Sequence, residues 1–174
     1  ELNAFVSRSG AMIAANVSDD GRFLAGFSFS SRLTIWDIQT GDIVAAHTLD
    51  FHKRGAPWIC RWSSDNKTIV SAHMGGRLRV WDASRPTLPL IKEWQGHDRD
   101  VMDIFVAPQG DYLLSASLDN TVRKWSLPDG QLIAEYESPI RLDFEFHALA
   151  PSGEKAVVVC SDGSSFIWGI ESET

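Results

Sequence analysis

The sequence predicts an all-β fold assembled from four copies of one four-stranded antiparallel unit. Three observations carry that prediction: a tryptophan recurs at the end of a short β-rich run, a polar turn cluster recurs at the same step, and no helical period is sustained. Internal repeats of this length mark solenoids, propellers or arrays.

The tryptophans are Trp36 in RLTIWD, Trp81 in RLRVWD, Trp125 in TVRKWS and Trp168 in SSFIWG, at spacings of 45, 44 and 43. The turn clusters Ser18-Asp19-Asp20-Gly21, Ser63-Ser64-Asp65-Asn66, Pro108-Gln109-Gly110-Asp111 and Pro151-Ser152-Gly153-Glu154 keep the same register. The third copy resolves into strands at Val101 to Val106, Tyr112 to Ser117, Thr121 to Trp125 and Leu132 to Tyr136, separated by tight polar turns. No stretch holds a helical period beyond about ten residues without Gly or Pro, which excludes helical repeats and a parallel α/β sheet. One domain spanning 1–174 is expected, with repeats at approximately 1–37, 42–82, 88–126 and 132–169.

Of the 174 residues, 44% are apolar and 22% charged, enough chain to bury roughly 70% of its unfolded surface. The longest strictly apolar runs, Ala11 to Ala15 and Ala156 to Cys160, are far short of the ~20 residues that span a bilayer. No membrane association is therefore expected. ELNAFVSRSG has none of the features of a secretory signal and no starting Met, so the chain reads as a piece of something longer. A net charge of −7 with scattered Lys and Arg argues against nucleic acid as a partner. Cys60 and Cys160 sit in apolar β-like runs and read as buried intracellular thiols.

A four-stranded unit of about 44 residues closed by Trp-Asp on its third strand resembles the WD-repeat family of β-propellers. Trp36-Asp37 and Trp81-Asp82 match the family dipeptide, Trp125-Ser126 and Trp168-Gly169 depart at its second position, and Gly96-His97 supplies the family's Gly-His pair. The resemblance implies a hydrogen-bonded relay in the third repeat, made by His97, Ser115, Asp119 and Trp125. Donor and acceptor chemistry supports that order, since an indole only donates and a carboxylate only accepts. The first repeat has Gly26 and Ser30 at the Ser and Asp positions, the second Ser71 and Gly75, the fourth Val158 and Asp162. Those three repeats are expected to hold by apolar packing alone. His47, His52 and His73 read as surface or loop residues.

The resemblance also implies a partner-binding face where the loops leading into the innermost strands converge, here called the upper face. By register its positions are Ala11, Ile13 and Phe29; Ala56, Trp58 and Met74; Asp100, Met102 and Leu118; and Asp143, Glu145 and Ser161. Ile13, Phe29, Trp58, Met74, Met102 and Leu118 form an apolar patch, and Asp100, Asp143 and Glu145 an acidic rim. Arg77 and Arg79 are read as rim residues away from that face. The expected partner is a protein or peptide with a bulky apolar anchor beside one or two basic residues.

Asp143, Glu145 and His147 alternate along one run, but parallel side chains nearly 7 Å apart do not converge on one ion, so no metal is expected. No phosphate loop, nucleophile motif or cysteine-histidine cluster occurs, and neither an enzyme nor a cofactor is expected. The chain is predicted to be a noncatalytic interaction module, intracellular and cytoplasmic or else nuclear. The alternative is a structural segment that completes a larger ring. Because propellers carry about 4 to 8 blades, a second copy or further blades of the parent protein would close it. Glu1 to Ala4 overlays the outermost strand at Gln131 to Ala134 and is free to complete the fourth unit.

Overall fold

The computed structural model describes residues 11–29, 32–49, 56–137, 144–150, 152, 154–160 and 163–169. They form fifteen strands and, among the described residues, no helix. Strands β1 (Met12–Val17), β2 (Phe23–Ser28), β3 (Arg32–Asp37) and β4 (Ile43–Thr48) make the first sheet in that order. The second holds β5 (Pro57–Trp62), β6 (Thr68–His73), β7 (Arg77–Asp82) and β8 (Leu90–Gln95), and the third β9 (Val101–Val106), β10 (Tyr112–Ser117), β11 (Thr121–Ser126) and β12 (Leu132–Glu137). A fourth sheet joins β13 (Phe144–Leu149), β14 (Lys155–Cys160) and β15 (Ser165–Gly169). Every pairing is antiparallel between consecutive strands. The segment 1–10, with the overlay at Glu1 to Ala4, lies outside the described residues.

Each sheet is a blade, and in the first three the outermost strand comes from the start of the following sequence repeat. The breaks at 37/42, 82/88 and 126/132 therefore fall inside sheets, between third and fourth strands.

Blades stack face to face, so alternate residues of one strand enter different cores. Along β6, Ile69 packs toward the first blade with Phe27, Leu33 and Trp81, while Val70 and Ala72 pack toward the third with Ile104, Leu113 and Trp125. With both faces covered, central strands lose the apolar-polar alternation of a one-sided sheet. That is why TIVSAH is buried from its second residue onward. Turn chemistry sets the strand ends. The Ser18 hydroxyl donates to Asp20 (2.6 Å) and the Ser63 hydroxyl to Asp65 (2.6 Å). Each aspartate also accepts the backbone N–H two residues on, an Asx-type turn. These bonds, the serine's foremost, hold both carboxyls below the ordinary carboxylate range.

Candidate functional site

The third blade brings His97, Ser115, Asp119 and Trp125 into one chain of hydrogen bonds. Trp125 Nε1–H donates to Ser115 Oγ (2.8 Å), which lies 2.6 Å from His97 Nε2, and His97 Nδ1 lies 2.9 Å from Asp119 Oδ2. A carboxylate can only accept, so Nδ1 carries the proton and Nε2 accepts from the serine hydroxyl. Sequence reasoning missed Thr121, whose hydroxyl donates to Asp119 Oδ1 (2.7 Å). Burial alone would raise the Asp119 carboxyl, but the hydrogen bond from His97, helped by those from Thr121 and the Asp98 N–H, holds it well below the carboxylate range.

This His-Ser-Asp set does not have the geometry of a nucleophile. Ser115 is 0% exposed and its hydroxyl is bonded on both sides, so no substrate reaches it. Burial pushes the Cys60 thiol up to about 12, far from a reactive thiolate. Among the described residues no group of three His, Cys, Asp or Glu is placed to hold a metal ion. The side chains of Asp143, Glu145 and His147 lie outside the description.

The second blade corrects the expectation of apolar packing alone. Trp81 Nε1–H donates to Ser71 Oγ (2.9 Å), and Ser71 Oγ lies 2.9 Å from Nε2 of His73. His73 is 1% exposed, not a surface residue, and the Phe27 ring of the first blade meets it edge-on at 6.0 Å. The histidine comes from the same strand as the serine, two positions on and hence on the same face. His47 is half-buried, its ring 5.5 Å from Trp81, and His52 lies outside the described residues. The first blade fits the expectation at this position: the space a Cβ on Gly26 would need is taken by the Met12 methyl at 1.9 Å, with Trp36 at 3.3 Å. Ser30, Asp162 and the Val158 side chain are not described.

On the upper face the backbone repeats itself. Phe29 N–H donates to Ala11 O (3.0 Å), Met74 N–H to Ala56 O (2.9 Å) and Leu118 N–H to Asp100 O (3.0 Å). These bonds tie each β2–β3-type turn to the start of the innermost strand in the same way. Just beyond each accepting carbonyl, the ladders of β1, β5 and β9 skip Ile13, Trp58 and Met102, and the ladder of β13 skips Glu145. A bulge re-aims the residue it leaves unpaired, and it falls at the same register in all four inner strands.

Exposure separates the patch. Phe29 (70%), on the first blade, and Trp58 (52%) and Met74 (47%), on the second, are exposed. Ile13, Met102 and Leu118 are half-buried. Half-buried Asp100 accepts the Gly75 N–H at 2.6 Å, so its carboxylate caps the neighbouring blade's turn. Asp143 and Ser161 lie outside the described residues. The sequence reading also overlooked Arg99, exposed beside Leu118 and donating to its carbonyl at 2.9 Å. Arg79 is a correction: its side chain is 3% exposed and bonded to Glu93 at 2.6 Å, not on a rim.

The family described as "WD domain, G-beta repeat" matches residues 44–82 and 88–126. Among curated proteins, Protein groucho of Drosophila melanogaster is 32% identical over 120 residues, 68% of this chain and 16% of the relative. The U3 small nucleolar RNA-associated protein 21 homolog of Schizosaccharomyces pombe is 30% identical over 76% of this chain and 14% of its own length. WD repeat-containing protein 37 of Xenopus tropicalis is 28% identical over 72% and 25%. The chain thus spans a quarter or less of these relatives. The crystal structure of the computationally designed Ika4 protein superposes with a TM-score of 0.74 over 98% of both chains at 19% identity, a likeness of fold. Repeated Trp-closed blades, the relay and these matches together place the chain in the WD-repeat family of β-propellers.

Proposed function

We propose that this chain is the recognition segment of a noncatalytic scaffold and holds its partner on the upper face, at the seam between the first and second blades. The observation that carries the reading is Trp58: a large aromatic at a strand bulge, half exposed, with exposed Met74 tied by its N–H to the Ala56 carbonyl of the same blade and exposed Phe29 at the matching position of the first blade. Isolated surface apolar residues are ordinary, but three large ones on the same face make a surface of the kind that anchors partners. The WD-repeat relatives support a protein-interaction scaffold in general. The finer reading is a peptide or loop with one bulky apolar anchor and basic neighbours, drawn to a chain of net charge −7. A pull-down from the source cell with wild type and Trp58→Ala tests it, with folding checked by circular dichroism. Loss of partners from a folded variant is expected. Partners retained by Trp58→Ala but lost on Arg77→Ala would move binding to the rim.

A second reading, completion of a larger ring or a homodimer, is favoured by the fourth blade. Val157 and Ile167 are paired across β14 and β15 and are 38% and 74% exposed, an apolar flank. Sedimentation at micromolar concentration tests it, and a well-folded monomer would overturn it.

A further inference from the structure

The upper face does not account for the opposite end of the same seam. From Trp81 to Leu90 is two residues more than from Trp36 to Ile43 or from Trp125 to Leu132. The longer connection reaches across the seam and clasps β4. The Ala46 N–H donates to Pro86 O (3.1 Å), His47 Nδ1 donates to Thr87 O (3.0 Å), and Leu88 is fully buried with a φ of 46°. A left-handed Leu is costly, so this conformation persists because surrounding contacts determine it.

The clasp makes one wall of a hollow of about 290 Å³, with Ala83 and Pro86 facing Val44 and Ala45. Phe23 and Trp62, stacked at 6.3 Å, also line it. Two arginines line the same hollow, Arg22 from the first blade and Arg85 from the clasp itself. Their side chains are 65% and 70% exposed. Each is fixed through Nε alone, Arg22 to Asp37 (3.4 Å) and Arg85 to Asp82 (3.1 Å), and Arg22 is further planted over the Phe23 ring at 4.8 Å. Among the described residues, the Nη groups of both have no protein partner. Asp37 and Asp82 are already occupied by backbone N–H groups of Gln39, Thr40 and Ser84, so they are tied into their own turns. The result is a small apolar hollow flanked by two anchored guanidinium edges, on a protein that is otherwise acidic.

We propose that this hollow is a second docking groove, whose occupant is an acidic peptide segment presenting one aliphatic side chain. The aliphatic group fills the space between Val44 and Pro86, and flanking carboxylates accept from the Nη edges of Arg22 and Arg85, the geometry in which arginine binds carboxylates best. Its charge preference is opposite to that of the upper face, so the two sites bear different partner segments.

The probe is a fluorescein-labelled heptapeptide with a central leucine and three aspartates on either side, followed by anisotropy against the 174-residue chain in the micromolar range. Binding is expected, with a lysine-flanked and an alanine-centred peptide several-fold weaker. Arg22→Gln with Arg85→Gln should weaken the aspartate peptide about three- to tenfold, as two exposed charge contacts contribute, without moving the melting temperature. Val44→Trp, which caps the hollow, should abolish binding, whereas Trp58→Ala should leave it intact. Failure of wild type to bind, equal binding of aspartate and lysine peptides, or full binding by the double glutamine variant would each overturn the proposal. So would a Val44→Trp variant that sediments differently yet binds the peptide normally, since the hollow would then be a surface for a second copy.

Discussion

Ser71→Ala is the most direct probe of the second-blade network. The substitution removes one oxygen and leaves two buried groups without their partner: the indole N–H of Trp81, 0% exposed, and Nε2 of His73, 1% exposed. Each stranded group costs about 1–3 kcal/mol, and some relaxation around the small void brings the pair to about 2–4 kcal/mol. For a chain of this size each kcal/mol moves the melting temperature about 2–4 °C, so a fall of about 4–16 °C is expected. Ser115→Ala strands the corresponding Trp125 and His97 atoms and should cost at least as much, because Asp119 polarises that chain further. Ser64→Ala, at an exposed turn position, is the control and should stay within about 0.5 kcal/mol. The assay is urea unfolding followed by tryptophan fluorescence, with thermal circular dichroism alongside. If Ser115→Ala is severe while Ser71→Ala matches the control, the second blade is held by apolar packing alone and the geometry argued for His73 is wrong.

Two other outcomes follow from single positions. Asp119 has its folded carboxyl below the ordinary 3.8, so its stabilisation is present above that pH and is lost as pH falls through the lower, folded value. Asp119→Asn should therefore melt below wild type at pH 7, with the gap narrowing between about pH 4 and pH 2; a gap independent of pH would show that the charge is irrelevant. Gly75 and Gly76 both have positive φ (73° and 81°), but a Cβ on Gly75 meets nothing within 4 Å, whereas one on Gly76 meets the His97 carbonyl oxygen at 1.9 Å. Gly75→Ala should cost about 1–2 kcal/mol and Gly76→Ala distinctly more in the same urea series, and equal costs would contradict the close approach.

The blades are legible in the sequence because their markers are local: a tryptophan closing each third strand, a polar turn cluster at the same step and, in the first two, a Ser-x-Asp turn whose hydrogen bonds need only neighbouring residues. The third-blade relay is legible through Gly96-His97 at its spacing from Trp125. His73 escapes notice because the family pattern puts its histidine ahead of the innermost strand, although Ser71 and His73, two apart on one strand, necessarily share a face. Arg79 misleads for a related reason: a polar residue in RLRVWD looks solvent-facing until both faces of the sheet are known to be covered. The clasp is also written in the sequence, as a Trp81-to-Leu90 interval two residues longer than its counterparts. Its docking on β4 depends on a neighbouring blade, which no local pattern reports.

Both histidines bond the serine of their own blade, and that of the second blade also packs against the first, which makes one blade depend on another. His97 is held by a carboxylate of its own blade, Asp119 at 2.9 Å. His73 has the Phe27 ring of the first blade against it at 6.0 Å, and the same ring lies 6.3 Å from Trp81. Removing Phe27, which is fully buried, therefore opens a cavity and also frees the imidazole and indole that Ser71 joins. Phe27→Ala alone should cost about 3–5 kcal/mol. Combined with Ser71→Ala, the loss should fall short of the sum of the two by about 0.5–2 kcal/mol, because the first substitution already loosens what the second breaks. Phe27→Ala with Ser115→Ala shares no such contact and should add within about 0.5 kcal/mol. Urea midpoints and slopes for wild type and for the single and double variants measure both cycles, and the third-blade cycle serves as the internal reference for the second. Additivity in both cycles would mean that the second blade orients its own histidine and that the seam joins the first two blades by apolar contact only.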